Sequence, residues 1–143
     1  MLVVDTSVAI KWVVPEDGVD LEPDTGIALS LLERGLITPD LMAVEFGNAL
    51  WKKVLRQEIG HLQAVEAIAI LPTLVSFVAS ESFLARAFEI AVELQHPVYD
   101  CIFIAVAEAH GIPLVSADRR LVAGVSSSLF GPLVLDLATE DGI

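Results

Sequence analysis

The stretch from Val98 to Arg120, VYDCIFIAVAEAHGIPLVSADRR, holds a helix, a strand and two aspartates in an order that implies an open α/β sheet. Asp100 stands where an N-cap should, and Cys101 to Ala109 is apolar on every face except Glu108, the pattern of a helix buried nearly all round. His110, Gly111 and Pro113 stop it. Ile112 to Val115 is a short apolar run with β-branched members, as an interior parallel strand requires, and Asp118 lies just past its end. A helix of about 11 residues covers roughly 16 Å and a strand of about 5 residues about 17 Å, so the first carries the chain across a sheet and the second returns it. Asp100 and Asp118 are therefore expected together at the carboxyl edge of the strands, where open α/β sheets bind their ligands.

Further acids fall at the same edge when the pattern is followed outward. Leu2 to Val4 reads as a strand ending in Asp5-Thr6-Ser7, and Val8 to Val14 as a short helix stopped by Pro15. Asp5 thus occupies a strand's carboxyl end, although taken alone it is simply a good N-cap. An acidic loop from Glu16 to Asp24 precedes a helix over Thr25 to Arg34 that Gly35 ends. Leu36 and Ile37 make a minimal strand, Thr38-Pro39 opens a helix running to about Ile59, and Gly60 is its expected C-cap. Glu45 lies in the second turn and shares a face with Asn48, Ala49, Lys52 and Arg56. A glutamate there favours the helix dipole, but Met42, Ala43, Val44 and Phe46 are surroundings in which an unpaired carboxylate is costly.

The middle of the chain offers packing rather than chemistry. His61 to Leu71 reads as a helix ended by Pro72, Leu74 to Val78 as a strand, and Ser80 as the N-cap of a helix over Glu81 to Gln95. Their broad apolar faces suit a core and a subunit interface. After Asp118 come a short helical turn, loops at Ser126-Ser127-Ser128 and Gly131-Pro132, and a last strand over Leu133 to Leu137, with Asp136 at its surface.

At 143 residues the chain is expected to form one domain, 1–143, long enough to bury a sizeable core. A hydrophobic fraction of 55% and a mean hydropathy of +0.69 imply that some apolar surface is covered, as in a homodimer. The longest apolar stretch, Ala67 to Ala79, contains Pro72, Thr73 and Ser76 and is too short to span a membrane. Met1 to Val4 lacks a basic start, so no signal peptide is read and a cytoplasmic location is expected. Cys101 is the only cysteine, which rules out an intrachain disulfide, and its place in an apolar helix marks a buried, inert thiol. His61, His96 and His110 are scattered without metal-ligand spacing. A formal net charge of -12 disfavours a general nucleic-acid binder, yet Lys11, Lys52, Lys53, Arg56, Arg119 and Arg120 all fall near the acids singled out above.

Asp5, Glu45, Asp100 and Asp118 cannot all ionise side by side without a cation. Oxygen ligands of this kind suit a hard divalent ion, Mg²⁺ or Mn²⁺, which keeps water in its shell and supports phosphodiester hydrolysis. LVVDTSVAIKWVVPED, PDLMAVEFGNALWK and HPVYDCIFIAVAEAHGIPLVSADRRL, in this order, also resemble the PIN-domain ribonucleases and, among them, the VapC-type toxins of toxin–antitoxin pairs. The resemblance covers nearly the whole chain. It implies a three-layer α/β/α sandwich with a mainly parallel central sheet, metal-dependent endoribonuclease activity, a dimer, and inhibition by a small antitoxin bound over the site. On that pattern Asp5, Glu45, Asp100 and Asp118 match the acidic metal-binding positions, and Ser7, Asn48 and Ser116 match polar positions around them. Cys101 stands where many relatives carry Ala, and Arg119, Arg120 and Leu121 where some carry another acid or Asn.

Two other readings remain at this point. Asp5 ends the first strand as an aspartyl nucleophile of a phosphatase or phosphotransferase would, but Thr6 and Ser7 leave no second aspartate in that loop. A PIN-like fold kept only for protein binding is the third. For the ribonuclease, RNA phosphates are expected on Lys11, Lys52, Arg56, Arg119 and Arg120. An antitoxin is expected to insert an Arg or Lys among the four carboxylates, because guanidinium and carboxylate pair through two parallel hydrogen bonds.

Overall fold

The computed structural model of the chain describes residues 1–15, 18 and 21–139. Among the described residues five strands, β1 (Leu2–Val4), β2 (Leu36–Pro39), β3 (Ser76–Val78), β4 (Leu114–Ser116) and β5 (Val134–Asp136), form one sheet in the order β3-β2-β1-β4-β5. Every neighbouring pair is parallel. The central strand β1 is buried along its whole length, which is why it reads as an unbroken apolar run rather than an alternating one.

The helices are α1 (Thr6–Ala9), α2 (Thr25–Ser30), α3 (Leu41–Leu55), α4 (His61–Leu74), α5 (Leu84–Leu94), α6 (Val98–His110) and α7 (Arg119–Val125). The arrangement is a three-layer α/β/α sandwich around a parallel sheet, as the resemblance implies. Right-handed crossovers place α1–α4 on one face of the sheet and α5–α7 on the other. The packing agrees, with α1 against α3, α3 against α4, and α5 against α6. Residues Cys101 to Ala107 of α6 are all buried, and the helix lies on β1, β2 and β4. Truncating Phe103, 2% exposed, would cost about 3–5 kcal/mol.

From β1 the chain winds to β2 and β3 in one direction, then returns past β1 to β4 and β5 in the other. The winding reverses between β1 and β4. In open α/β sheets that reversal leaves a crevice at the carboxyl ends of the two strands. The register pairs Val4 with Val115, so Asp5 and Ser116 follow at the mouth of that crevice.

Several expected boundaries move, each because a distant contact outweighs a local signal. Pro39 closes β2, paired with Val78, and α3 starts only at Leu41. Its first turn is held from β3's far end: Ser80 Oγ accepts from Leu41 N at 2.9 Å and donates to Asp40 Oδ1 at 2.6 Å. Ser80 is therefore not the N-cap of α5, and it opens a 3₁₀ turn over Ser80–Phe83 instead. Helix α3 ends at Leu55, with Gln57 taking the left-handed conformation (φ 61°), and Gly60 is the N-cap of α4 rather than the C-cap of α3. Pro72 sits inside the last turn of α4, which continues to Leu74. The helix expected over Val8 to Val14 is α1 followed by a 3₁₀ turn, Ile10–Trp12. Of the acidic loop, Glu16, Asp17, Val19 and Asp20 lie outside the described residues. Gly111 (φ 64°) ends α6 as its sequence predicts.

Candidate active site

Asp5 leaves β1 in extended conformation and caps α1, so both simple expectations for it hold at once. The residue is 6% exposed. Ser116 Oγ donates to Oδ2 at 2.5 Å, Ser7 Oγ donates to Oδ1, and Val8 N donates to Oδ1 at 3.3 Å. Each serine oxygen in turn accepts a backbone N–H from the turn after β4, Ala117 N to Ser7 at 2.8 Å and Asp118 N to Ser116 at 3.0 Å. The network thus ties the ends of β1 and β4 together through one carboxylate. Burial pushes Asp5 from the ordinary 3.8 up to about 6; the three donors pull it down, and the charge of Asp118 adds to the rise.

The other three acids approach from separate elements. Asp118 caps α7, its Oδ1 accepting from Arg120 N at 2.9 Å and Leu121 N at 3.4 Å. Glu45, in the second turn of α3, accepts from Thr6 Oγ1 at 2.8 Å through Oε1. Burial raises its pKa above the usual glutamate value, and the charges of Asp100 and Asp5 raise it further. Asp100 is not the N-cap of α6, a place taken by Pro97. It stands in the first turn with Oδ2 2.8 Å from His96 Nε2. Glu45 feels Asp100 and Asp5, and Asp5 feels Asp118, so the four acids form one electrostatic unit.

Their donor chemistry fits a hard divalent cation. All four are carboxylates, and Glu45 Oε2, Asp100 Oδ1 and Asp118 Oδ2 have no hydrogen-bond partner among the described residues. Among the described residues, no three His, Cys, Asp or Glu side chains already stand in a shell around one point. The acids are thus gathered at one edge with oxygens to offer, at a spacing wider than a closed ligand shell.

The remaining candidates divide. Ser7 and Ser116 belong to the Asp5 network, whereas Asn48 is exposed and its side chain makes no hydrogen bond among the described residues. Lys52, Arg56, Arg119 and Arg120 are exposed, with no ion pair among the described residues. Lys11 is directed elsewhere: its ammonium is held by Glu22 and, at 3.0 Å, by Asp24. It lines a cavity of about 520 Å³ with Ile10, Val13, Glu22 and Lys53, and none of the four acids lines it. Lys53 pairs with Glu58 at 3.3 Å. The Cys101 thiol is pushed up to about 11 by burial and by Asp100, which keeps it neutral and unreactive. Two participants were not read from the sequence. Thr6 carries no signal of its own, whereas His96 is four residues before Asp100, a spacing that brings side chains together across a turn.

An open parallel sheet that carries Asp5 and Asp118 where its winding reverses defines an α/β protein with an acidic candidate site at that edge. The PIN domain family matches residues 2–124, and the chain belongs to that family. It is 36% identical over 104 residues to Ribonuclease VapC1 of Mycobacterium tuberculosis, covering 67% of this chain and 77% of that protein. To Ribonuclease VapC3 of Pyrobaculum aerophilum it is 32% identical over 126 residues, 84% of this chain and 91% of that one. The crystal structure of PAE2754 from Pyrobaculum aerophilum shares the fold with a TM-score of 0.72, at 22% identity over 96% of this chain and 90% of that chain. Among the described residues no single helix is long and apolar enough to cross a membrane.

Proposed function

We propose that the chain is a metal-dependent endoribonuclease, the toxin of a VapBC-type pair, acting at the carboxyl edge of β1 and β4. The observation that carries this reading is the buried Asp5, fixed by Ser7 and Ser116 at the winding reversal and coupled by charge to Asp118 and Glu45. The curated relatives named ribonuclease support the reaction class. Asp5, Glu45, Asp100 and Asp118 would hold the ion, Mg²⁺ or Mn²⁺. When bound, such an ion supplies positive charge to a phosphate oxygen and makes a nearby water more acidic. The chain's own groups do the positioning. Ser7 and Ser116 lock the Asp5 carboxylate in place, Thr6 holds one oxygen of Glu45, and the α7 amides hold one oxygen of Asp118. Lys52, Arg56, Arg119 and Arg120 are the candidate RNA phosphate contacts. Lys11 leaves that set because two carboxylates already hold it.

An aspartyl-phosphate mechanism fits less well. Both oxygens of Asp5 accept hydrogen bonds and the group is 6% exposed, a poor disposition for a nucleophile. We also propose a homodimer that covers the exposed stripe Leu84, Phe88 and Val92 on α5, and a cytoplasmic setting. A small antitoxin would insert an Arg or Lys among the four acids. Incubating purified protein with a panel of RNAs in EDTA, Mg²⁺ or Mn²⁺, with Asp5→Asn as control, tests the reaction. Cleavage restricted to the divalent-ion lanes and lost in the variant is expected. Cleavage that persists in EDTA or in Asp5→Asn refutes the proposal.

A further inference from the structure

The imidazole of His96 contacts one of the four acids without being one of them, and the structure fixes it from several sides. Its backbone is confined between two helices. His96 N donates to Ala91 O at 3.2 Å, just after Gln95 ends α5 in left-handed conformation, and Pro97 begins α6 immediately afterwards. The His96 carbonyl accepts from the Cys101 thiol at 3.8 Å. The side chain is 15% exposed, and its Nδ1 faces α7 at Gly124 across a space that a single added carbon would fill at ordinary contact distance, 3.8 Å from Nδ1. Its Nε2 edge meets Asp100 Oδ2 at 2.8 Å. With its proton on Nε2 the ring donates to that oxygen.

We infer that His96 is a positioning residue for the acidic site: by holding Asp100 Oδ2 it fixes the orientation of that carboxylate and leaves Oδ1 for the cation. The inference rests on the reading of Asp100 as a cation ligand. Physically the case is that of an orienting partner behind a ligand. A carboxylate free to rotate in the first turn of a helix loses conformational freedom when it takes up an ion, whereas one already held by a rigid donor does not. Glu45 and Asp5 have such partners in Thr6, Ser7 and Ser116, and Asp118 has the α7 amides; His96 completes the set.

The test measures Mn²⁺ binding by calorimetry, without RNA, on the full chain and on His96→Leu, His96→Gln and Asp100→Asn. Leucine fills the space beside Gly124 without a donor, and glutamine restores a donor at a reach close to that of Nε2. Wild type is expected to bind Mn²⁺ and Asp100→Asn to lose it. His96→Leu should bind roughly 10- to 100-fold more weakly, and His96→Gln should recover most of the loss. Thermal melts in EDTA check that each variant is folded, and His96→Ala replaces His96→Leu should the latter fail to fold. Donor-free variants that bind as wild type, or a glutamine variant as weak as they are, overturn the role of His96 alone. Wild type that takes up no Mn²⁺, or Asp100→Asn that binds normally, overturns the cation-site reading and this inference with it.

Discussion

Replacing Asp5 by asparagine should make the metal-free protein more stable while abolishing its activity. Burial pushes the Asp5 carboxyl from the ordinary 3.8 to about 6 in the folded chain. A rise of about 2 units corresponds to roughly 3 kcal/mol against the ionised form. Because the folded value lies above the unfolded one, the cost is absent below the unfolded pKa. It grows as pH rises towards the folded pKa and is constant above it. Linkage puts it at about 1.5 kcal/mol at pH 5 and about 3 kcal/mol at pH 8. Asparagine carries no charge, but its amide faces the Ser116 hydroxyl that donates to Oδ2, and one disturbed hydrogen bond returns about 1 kcal/mol. The net gain is then about 2 kcal/mol at pH 8 and about 0.5 kcal/mol at pH 5. For a chain of this length that is a Tm higher by roughly 6–8 °C at pH 8 and about 2 °C at pH 5. Scanning calorimetry in EDTA on both proteins from pH 5 to pH 8 measures it. An Asp5→Asn protein that melts below wild type at pH 8, or a gap that narrows as pH rises, would refute the reasoning.

Glu45→Gln should also stabilise the metal-free protein towards higher pH and abolish RNA cleavage, because burial and the charges of Asp100 and Asp5 raise the Glu45 pKa; melts in EDTA and gel assays read both effects. Alanine at Lys52, Arg56, Arg119 or Arg120 should weaken RNA binding and lower the slope of log affinity against log salt by about one each, as followed by fluorescence anisotropy. Lys11→Ala should leave that slope unchanged, since Glu22 and Asp24 hold its ammonium. Phe88→Glu, at a residue 60% exposed on α5, should shift the protein from dimer to monomer in light scattering at micromolar concentration.

The sheet was legible because strands buried on both faces read as plain apolar runs, as Leu2–Val4 and Leu114-Val115 do, and because α6 is apolar on nearly every face. Element ends were less so, since local capping signals compete with distant partners. Thr38-Pro39 looks like a helix start, but Pro39 is paired to Val78 and Ser80 supplies the contact that begins α3. Gly60 looks like a C-cap, yet Gln57 takes the left-handed turn three residues earlier. Lys11 was grouped with the basic residues near the acids. The chain tightens into a 3₁₀ turn at Ile10 instead, and the ammonium meets Glu22 and Asp24, acids that in sequence belong to a solvated loop. That Asp5 follows β1 and Asp118 follows its neighbour β4 comes from topology and was readable. Thr6 depends on side-chain direction, which periodicity does not encode, whereas the four-residue spacing of His96 from Asp100 was a signal left unread.

The Asp5 network also explains how a buried acid at a sheet edge remains usable. Desolvation alone would drive a carboxyl this deeply buried towards its neutral form, in which it offers a cation little. The donors from Ser7, Ser116 and Val8 act in the opposite direction. Each serine is itself polarised by a backbone N–H from the turn after β4, so the strength of the donors depends on the geometry of that turn. The same turn places Asp118, whose charge raises Asp5 again. A change in the β4–α7 turn therefore alters the position of one acid and the ionisation of another together. Ser116→Ala is the sharpest perturbation of this coupling. It removes the donor to Oδ2 and the acceptor for Asp118 N at one stroke, leaving a buried carboxylate oxygen without its partner.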